Sequence, residues 1–211
     1  MKIWDISPLV SKETAVFPGD VEFSRDVSLN MQQGDHLTVS SIATTLHIGA
    51  HTDASNHYHA SGKGIDSRNL EIYLGPCQVI EVSVPKGARI VPKDVSSPIS
   101  APRVLFRTNS FPNPNQWNSD FNSLSPELID WLAEKKVCLV GIDTPSVDPA
   151  DSKGLESHQA IFKNDLAILE GIVLDKVSPG NYTLIALPLK LLDADASPVR
   201  AILLEKELLN A

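Results

Sequence analysis

The sequence predicts a strand-rich α/β fold built on a mixed sheet. Two continuous apolar runs, Arg103–Thr108 and Val137–Asp143, flank one amphipathic helical stretch, the pattern of a βαβ unit whose strands are buried on both faces. Short runs rich in Val, Ile and Thr outnumber helical stretches over the rest of the chain. The length, 211 residues, suits one domain with a substantial core, so a single domain over residues 1–211 is expected.

Taken in order, Met1–Ser7 alternates enough to form a first strand, which Pro8 interrupts. Phe17-Pro18-Gly19-Asp20 is a turn by composition, because Pro presets one dihedral and Gly relieves the next. Leu37–Leu46 reads as a strand, and Gly75-Pro76 opens a stronger one over Cys77–Val84. Asn109–Ser119, rich in Pro and Asn, is a surface loop. Ser125 caps a helix that starts at Pro126 and carries Leu128, Trp131 and Leu132 as an i, i+3, i+4 stripe. Asp143-Thr144-Pro145-Ser146 then lies past a strand's carboxyl end, where α/β folds build their sites. A helical segment over Ser152–Phe162 ends at Asn164-Asp165, and strands are expected at Leu166–Leu174, Tyr182–Leu189 and Val199–Leu204.

Composition narrows the function. Hydrophobic residues make up 42% and charged residues 21% of the chain, ordinary values for a soluble globular protein. A net charge of −8 without a basic patch argues against a nucleic-acid partner. The N-terminal residues lack the apolar core of a signal peptide, and no run is long enough to span a membrane. Cys77 and Cys138 lie in apolar runs and are expected as reduced, buried thiols. A cytoplasmic enzyme fits these features.

The chemistry concentrates in one stretch. Residues 46–59 hold His47, His51, Asp53, His57 and His59, four of the six histidines with an aspartate among them. Imidazole and carboxylate suit zinc and similar divalent ions, and solvated loops have no need of so many imidazoles. His47, His51, Asp53 and His57 share odd positions, but at about 3.3 Å per residue a straight strand would hold His47 and His51 too far apart for one ion. Gly49 and the surrounding Thr, Ala, Ser and Asn disfavour a helix. A strand end passing into a curled loop, bent at Gly49, is therefore expected.

A catalytic metal site needs further ligands. His158 lies in the later helical segment, and on its own it reads equally well as a hydrogen-bonded core histidine. Glu170 sits inside an apolar run, where a carboxylate is almost never buried without a charge partner or a metal. A straight helix would hold them about 18 Å apart, so the chain must fold back at Asn164-Asp165 if both bind. Phe17, by composition alone, reads first as a hydrophobic plug under its loop.

His47-x-Gly49-x-His51-x-Asp53-x-x-x-His57 resembles the H-x-G-T-H-x-D-x-P-x-H signature of the cyclase-like family of metal-dependent amidohydrolases, and within it the bacterial branch that hydrolyses aryl formamides. Similar blocks run through nearly the whole chain: Trp4–Pro8, Phe17–Asp20, Tyr73–Cys77, Gly141–Ser146, Ala167–Gly171 and Ala194–Arg200. Two positions depart from the signature. Ala50 stands where many members have Thr, and Ser55 replaces the usual Pro, which bears on the loop's rigidity but removes no ligand.

The resemblance implies a homodimer built on a swivelling β/β/α-type domain, with two zinc ions per subunit and manganese or cobalt as alternatives. His47 and His51 would hold one ion, His158 the second, and Asp53 and Glu170 would lie between the two. His57 would be the general acid/base rather than a ligand. Phe17 would line the substrate pocket, where an aromatic lies against an aryl ring, instead of acting as a plug. Tyr58 is a candidate to shape that pocket, while His36 and His59 match no catalytic position.

The implied reaction is hydrolysis of N-formyl-L-kynurenine to L-kynurenine and formate, a step of tryptophan degradation. Zinc would make water acidic enough to supply hydroxide near neutral pH and would stabilise the oxyanion, and His57 would pass a proton to the departing aniline nitrogen. Two rivals share these residues: a sibling hydrolase opening a cyclic amide such as isatin, and a non-catalytic metal-binding protein that has kept the fold.

Overall fold

The computed structural model describes residues 2–205; Met1, at the edge of the expected first strand, lies outside them. The elements in chain order are β1 (Ile3–Asp5), β2 (Ser24–Leu29), β3 (Val39–Ala43), β4 (His51–Asp53), β5 (Leu74–Glu81), β6 (Arg89–Ile90), β7 (Arg103–Arg107), β8 (Ser123–Leu124), α1 (Pro126–Glu134), β9 (Leu139–Ile142), α2 (Glu156–Asn164), β10 (Ala167–Leu169), β11 (Gly180–Ile185), β12 (Ala196–Pro198) and β13 (Ile202–Glu205). The result is a strand-rich mixed α/β domain with two α-helices among the described residues.

Seven strands form one sheet in the order β1-β13-β11-β5-β7-β9-β10. Its β5-β7-β9-β10 half is parallel, and the β5-β11-β13-β1 half is antiparallel. The expected βαβ unit is β7-α1-β9, whose strands pair side by side. Side chains alternate strictly between two cores. Val79, Leu105, Leu139 and Leu169 face one, whereas Ile80, Val104, Phe106, Val140 and Ile168 face the other. Both faces are therefore covered, which is why these strands read as unbroken apolar runs.

The helices close the second face. Leu128, Ile129 and Leu132 of α1 and Ala160 and Ile161 of α2 are buried in the same cluster, each large aliphatic chain contributing about 1.5–3 kcal/mol on burial. Ser125 caps α1 by accepting from the Leu128 amide at 3.1 Å, with Pro126 in the first turn. On the first face, Ile6, Ala50, Ile172 and Leu174 cover the sheet, bringing the histidine-bearing stretch against the carboxyl ends of β9 and β10.

Several boundaries differ from those expected. The run Leu166–Leu174 is strand only to Leu169, because Gly171 turns the backbone into the left-handed region at φ +64°. The Leu37–Leu46 strand narrows to β3, which pairs with β2 in an exposed hairpin. Cys77 is buried as expected, but Cys138 is partly exposed, because it precedes β9 rather than lying inside it.

Candidate metal centre

The histidine stretch curls as its composition requires. Gly49 takes φ +58°, and the chain then runs into β4, which pairs with β12. At the start of β4, His51 and Glu170 form an antiparallel bridge: the His51 amide donates to the Glu170 carbonyl at 3.1 Å, and the Glu170 amide donates back at 2.9 Å. Directly opposed residues project side by side, and here His51 Nε2 stands 3.2 Å from Glu170 Oε2. The bridge is possible because Gly171 lies against Gly49; a Cβ on Gly171 would meet the Gly49 carbonyl oxygen at 2.0 Å.

His158 projects from α2, and the chain reverses beyond it at Asp165 in the left-handed region (φ +51°), which returns β10 and Glu170 to the same place. The α-helix has no side-chain cap of its own. Asp148, in the loop after β9, supplies that function from outside, accepting from the Ser157 and His158 amides at 3.1 Å and from His158 Nδ1 at 2.7 Å. Arg89 donates to the same carboxylate at 2.8 Å. Burial would raise the Asp148 pKa, but the His158 imidazole and the amides of His158 and Ser157 outweigh it and hold it at about 2.

The five expected ligand residues converge. Asp53 Oδ1 lies 3.0 Å from His47 Nδ1 and 3.4 Å from His51 Nε2. Asp53 Oδ2 lies 3.4 Å from His158 Nε2, which is itself 3.7 Å from Glu170 Oε1. His51, Asp53, His158 and Glu170 are all buried. Among these five residues two donor sets result, His47–His51–Asp53 and Asp53–His158–Glu170, with Asp53 common to both; a third set, His47–His57–Asp195, adjoins them through His47.

His51 Nε2 and both Asp53 oxygens are buried without a hydrogen-bond partner, a costly arrangement unless something else satisfies them. A tetrahedral ion with bonds of about 2.0–2.1 Å spaces its ligands about 3.3 Å apart, close to the separations seen here. The donors thus fit divalent metal. The outer ring nitrogens are also fixed, a common device for orienting metal-binding imidazoles. His51 Nδ1 pairs with the Gly49 carbonyl at 3.0 Å, His158 Nδ1 with Asp148, and His47 Nε2 with Asp195 at 2.9 Å.

The electrostatics agree. Burial alone would lower the His51 and His158 pKa values, yet the surrounding carboxylates raise each from 6.5 to about 10. Burial would raise Asp53, but the imidazoles of His158, His47 and His51 hold it well below the usual carboxylate value. His57 differs. It lies beside the two sets that share Asp53 and belongs only to the more exposed His47–His57–Asp195 group, its ring 4.2 Å from that of His47 and 6.2 Å from that of His158. Its nearest acid is Asp195, at 3.7 Å from Nδ1, and partial burial lowers its pKa.

A cavity of about 460 Å³ opens onto these groups. Phe17 lines it and packs edge-to-face on Trp117 at 4.7 Å. Tyr58 is not part of the lining; its ring packs on His158 at 5.0 Å. His59 stacks on Phe162 at 3.7 Å and His36 is exposed, both apart from the site. Sequence reasoning assigned no role to Asp148, Asp195 or Trp117. Asp195 falls within the Ala194–Arg200 block and Trp117 within the Asn109–Ser119 loop, but nothing in either segment marks the residue itself.

The chain is similar to known proteins over nearly its whole length. Kynurenine formamidase of Bordetella petrii is 45% identical over 206 residues, covering 97% of this chain and 98% of that protein. A solved structure described as a potential metal-dependent hydrolase with cyclase activity superposes with a TM-score of 0.82 at 25% identity, over 96% of both chains. Isatin hydrolase A of Labrenzia aggregata shares the fold with a TM-score of 0.84 at 21% identity, over 98% of this chain and 94% of that one. The Cyclase family matches residues 4–149, and the chain belongs to that family.

Proposed function

We propose that the protein is a metal-dependent amidohydrolase that converts N-formyl-L-kynurenine to L-kynurenine and formate. The observation that carries this reading is the pair of donor sets sharing Asp53, with His57 beside them and an aromatic-walled cavity above. The 45% identity to a kynurenine formamidase over 97% of the chain supports the choice of substrate.

His47, His51 and Asp53 would hold one ion, and Asp53, Glu170 and His158 the other. Bound divalent ions would supply Lewis acidity at the formyl carbonyl and a water acidic enough to ionise near neutral pH. Zinc suits the nitrogen-rich donors, and manganese or cobalt could replace it. Asp148 and the Gly49 carbonyl hold the His158 and His51 rings so that Nε2 of each faces the carboxylates. His57 has a lowered pKa and is therefore neutral at pH 7, ready to accept a proton. With Nδ1 turned to Asp195, Nε2 is the atom that would carry that proton to the aniline nitrogen as the carbon–nitrogen bond breaks. Phe17 offers its ring to the aryl group.

The same reading includes a cytoplasmic homodimer. Two free cysteines support a reducing compartment, and Val27, Val39 and Ile42, exposed on the β2–β3 hairpin, support association. No helix among the described residues is long and apolar enough to cross a membrane. The isatin-opening alternative rests on shared fold alone.

The test is hydrolysis of N-formyl-L-kynurenine by purified protein, followed by kynurenine absorbance, with a chelator-treated control and isatin in parallel. Turnover abolished by chelator and restored by zinc is expected. Ring opening of isatin without turnover of the formamide would overturn the assignment.

A further inference from the structure

The loop between β7 and β8 is long and polar, and hydrogen bonds tie it down at its entry, its middle and its exit. At its entry, Asp143 accepts from the Thr108 and Asn109 amides at 2.9 Å and from the Thr108 hydroxyl at 2.6 Å. At its exit, the Asn122 amide donates to Ser110 Oγ at 2.8 Å. Between them, Asn118 Nδ2 donates to the Ser110 carbonyl at 3.2 Å. The far side of the loop is tied to the Phe17 segment, where the Ala15 amide donates to the Pro114 carbonyl at 2.9 Å.

This scaffold carries Trp117 to the cavity. Its indole packs edge-on to the fully buried ring of Phe121 at 6.1 Å and to Phe17 at 4.7 Å. Trp117 itself is only partly buried and, like Phe17, lines the cavity above Asp53 and Glu170. A partly open indole carried by a hydrogen-bonded loop and backed by a core phenylalanine is poorly explained by packing alone. It presents a flat π-surface at low entropic cost, which favours a flat aromatic guest over a puckered saturated one.

We propose that Trp117 is a specificity-determining residue that, together with Phe17, selects aryl amides over alkyl amides of the same size. The inference rests on the formamidase reading and deepens it, since the group it selects is the aromatic ring on the leaving nitrogen. Trp117 acts on binding of that ring and leaves the proton transfers to other groups.

The test uses metal-loaded protein and two neutral ligands, acetanilide and N-cyclohexylacetamide, which share the amide and differ in whether the six-membered ring is flat. Binding is measured by titration calorimetry, alongside KM and kcat for N-formyl-L-kynurenine. The wild-type protein should bind acetanilide more tightly. In Trp117→Ala that preference should fall roughly ten-fold, the scale of one aromatic contact, and KM should rise by a similar factor with kcat nearly unchanged. Trp117→Phe should keep most of the preference, which separates the loss of an aromatic surface from collapse of the loop. A preference unchanged in Trp117→Ala, with the wild type active, would overturn the role of Trp117 alone, as would a Trp117→Phe variant no better than Trp117→Ala. A wild type inactive on N-formyl-L-kynurenine would overturn the formamidase reading and this inference with it.

Discussion

Nδ1 of His158 lies 2.7 Å from Oδ2 of Asp148, and the same carboxylate accepts the amides of Ser157 and His158. One side chain therefore both starts α2 and sets which nitrogen of His158 faces Asp53 and Glu170. Asp148→Asn keeps the shape but turns an acceptor into a partial donor. It should weaken metal binding about 10- to 100-fold, read by competition with a chromophoric chelator. The weakened ion should be one of two, since His47 and His51 are oriented independently by Asp195 and Gly49. Equal weakening of both ions, or of neither, would sink this account.

His57→Ala should retain metal and lose turnover by a factor on the order of 10² to 10⁴, the range for removing a general acid/base. The ring sits beside the donor sets and is itself partly exposed. Metal content by elemental analysis and kcat on the same preparation decide the matter. A variant that is slow because it has lost an ion would make His57 a ligand.

In chelated protein, His51 and His158 each titrate near 10, raised from 6.5 by their carboxylate partners against the effect of burial. Both folded-state values are raised, so their stabilisation is fully present below pH 6.5 and is lost as the pH climbs through 10. At pH 7 these rings carry protons that a metal must displace. Calorimetric titration of zinc into the chelated protein, in buffers of different ionisation enthalpy, should show at least two protons released per chain, one from each ring. Metal affinity should increase with pH over the same window. Zinc uptake without proton release would contradict the proposed ligand roles of both histidines.

Much of this centre was legible in the sequence because its residues are out of place there. Four histidines within fourteen residues, or Glu170 inside an apolar run, need a reason that loops and cores do not supply. Asp148, Asp195 and Trp117 give no such signal. A carboxylate after a strand or a tryptophan in a Pro- and Asn-rich loop is ordinary, and each acquires meaning only from a partner between 10 and 148 positions away. The parallel strands were visible because burial on both faces leaves continuous apolar runs. The end of β10 was not, because the apolar run continues past Glu170 while the backbone leaves the sheet. What ends the strand is a dihedral at Gly171, which hydrophobic periodicity does not register.

That glycine gives the sharpest structural prediction. Gly171 has φ +64°, where a side chain is strained, and a Cβ there would fall 2.0 Å from the Gly49 carbonyl oxygen. Neither backbone can withdraw freely, because His51 and Glu170 are joined by two hydrogen bonds beside the contact. Gly171→Ala should therefore cost more than about 2 kcal/mol in urea unfolding, combining dihedral strain with overpacking. Any relief must come from parting the two segments, which moves Glu170 from His51. The variant should consequently lose metal affinity as well as stability, though it changes no ligand. Gly171→Ala with wild-type stability and wild-type metal binding would mean that the Gly49–Gly171 contact does not hold the two halves of the centre together.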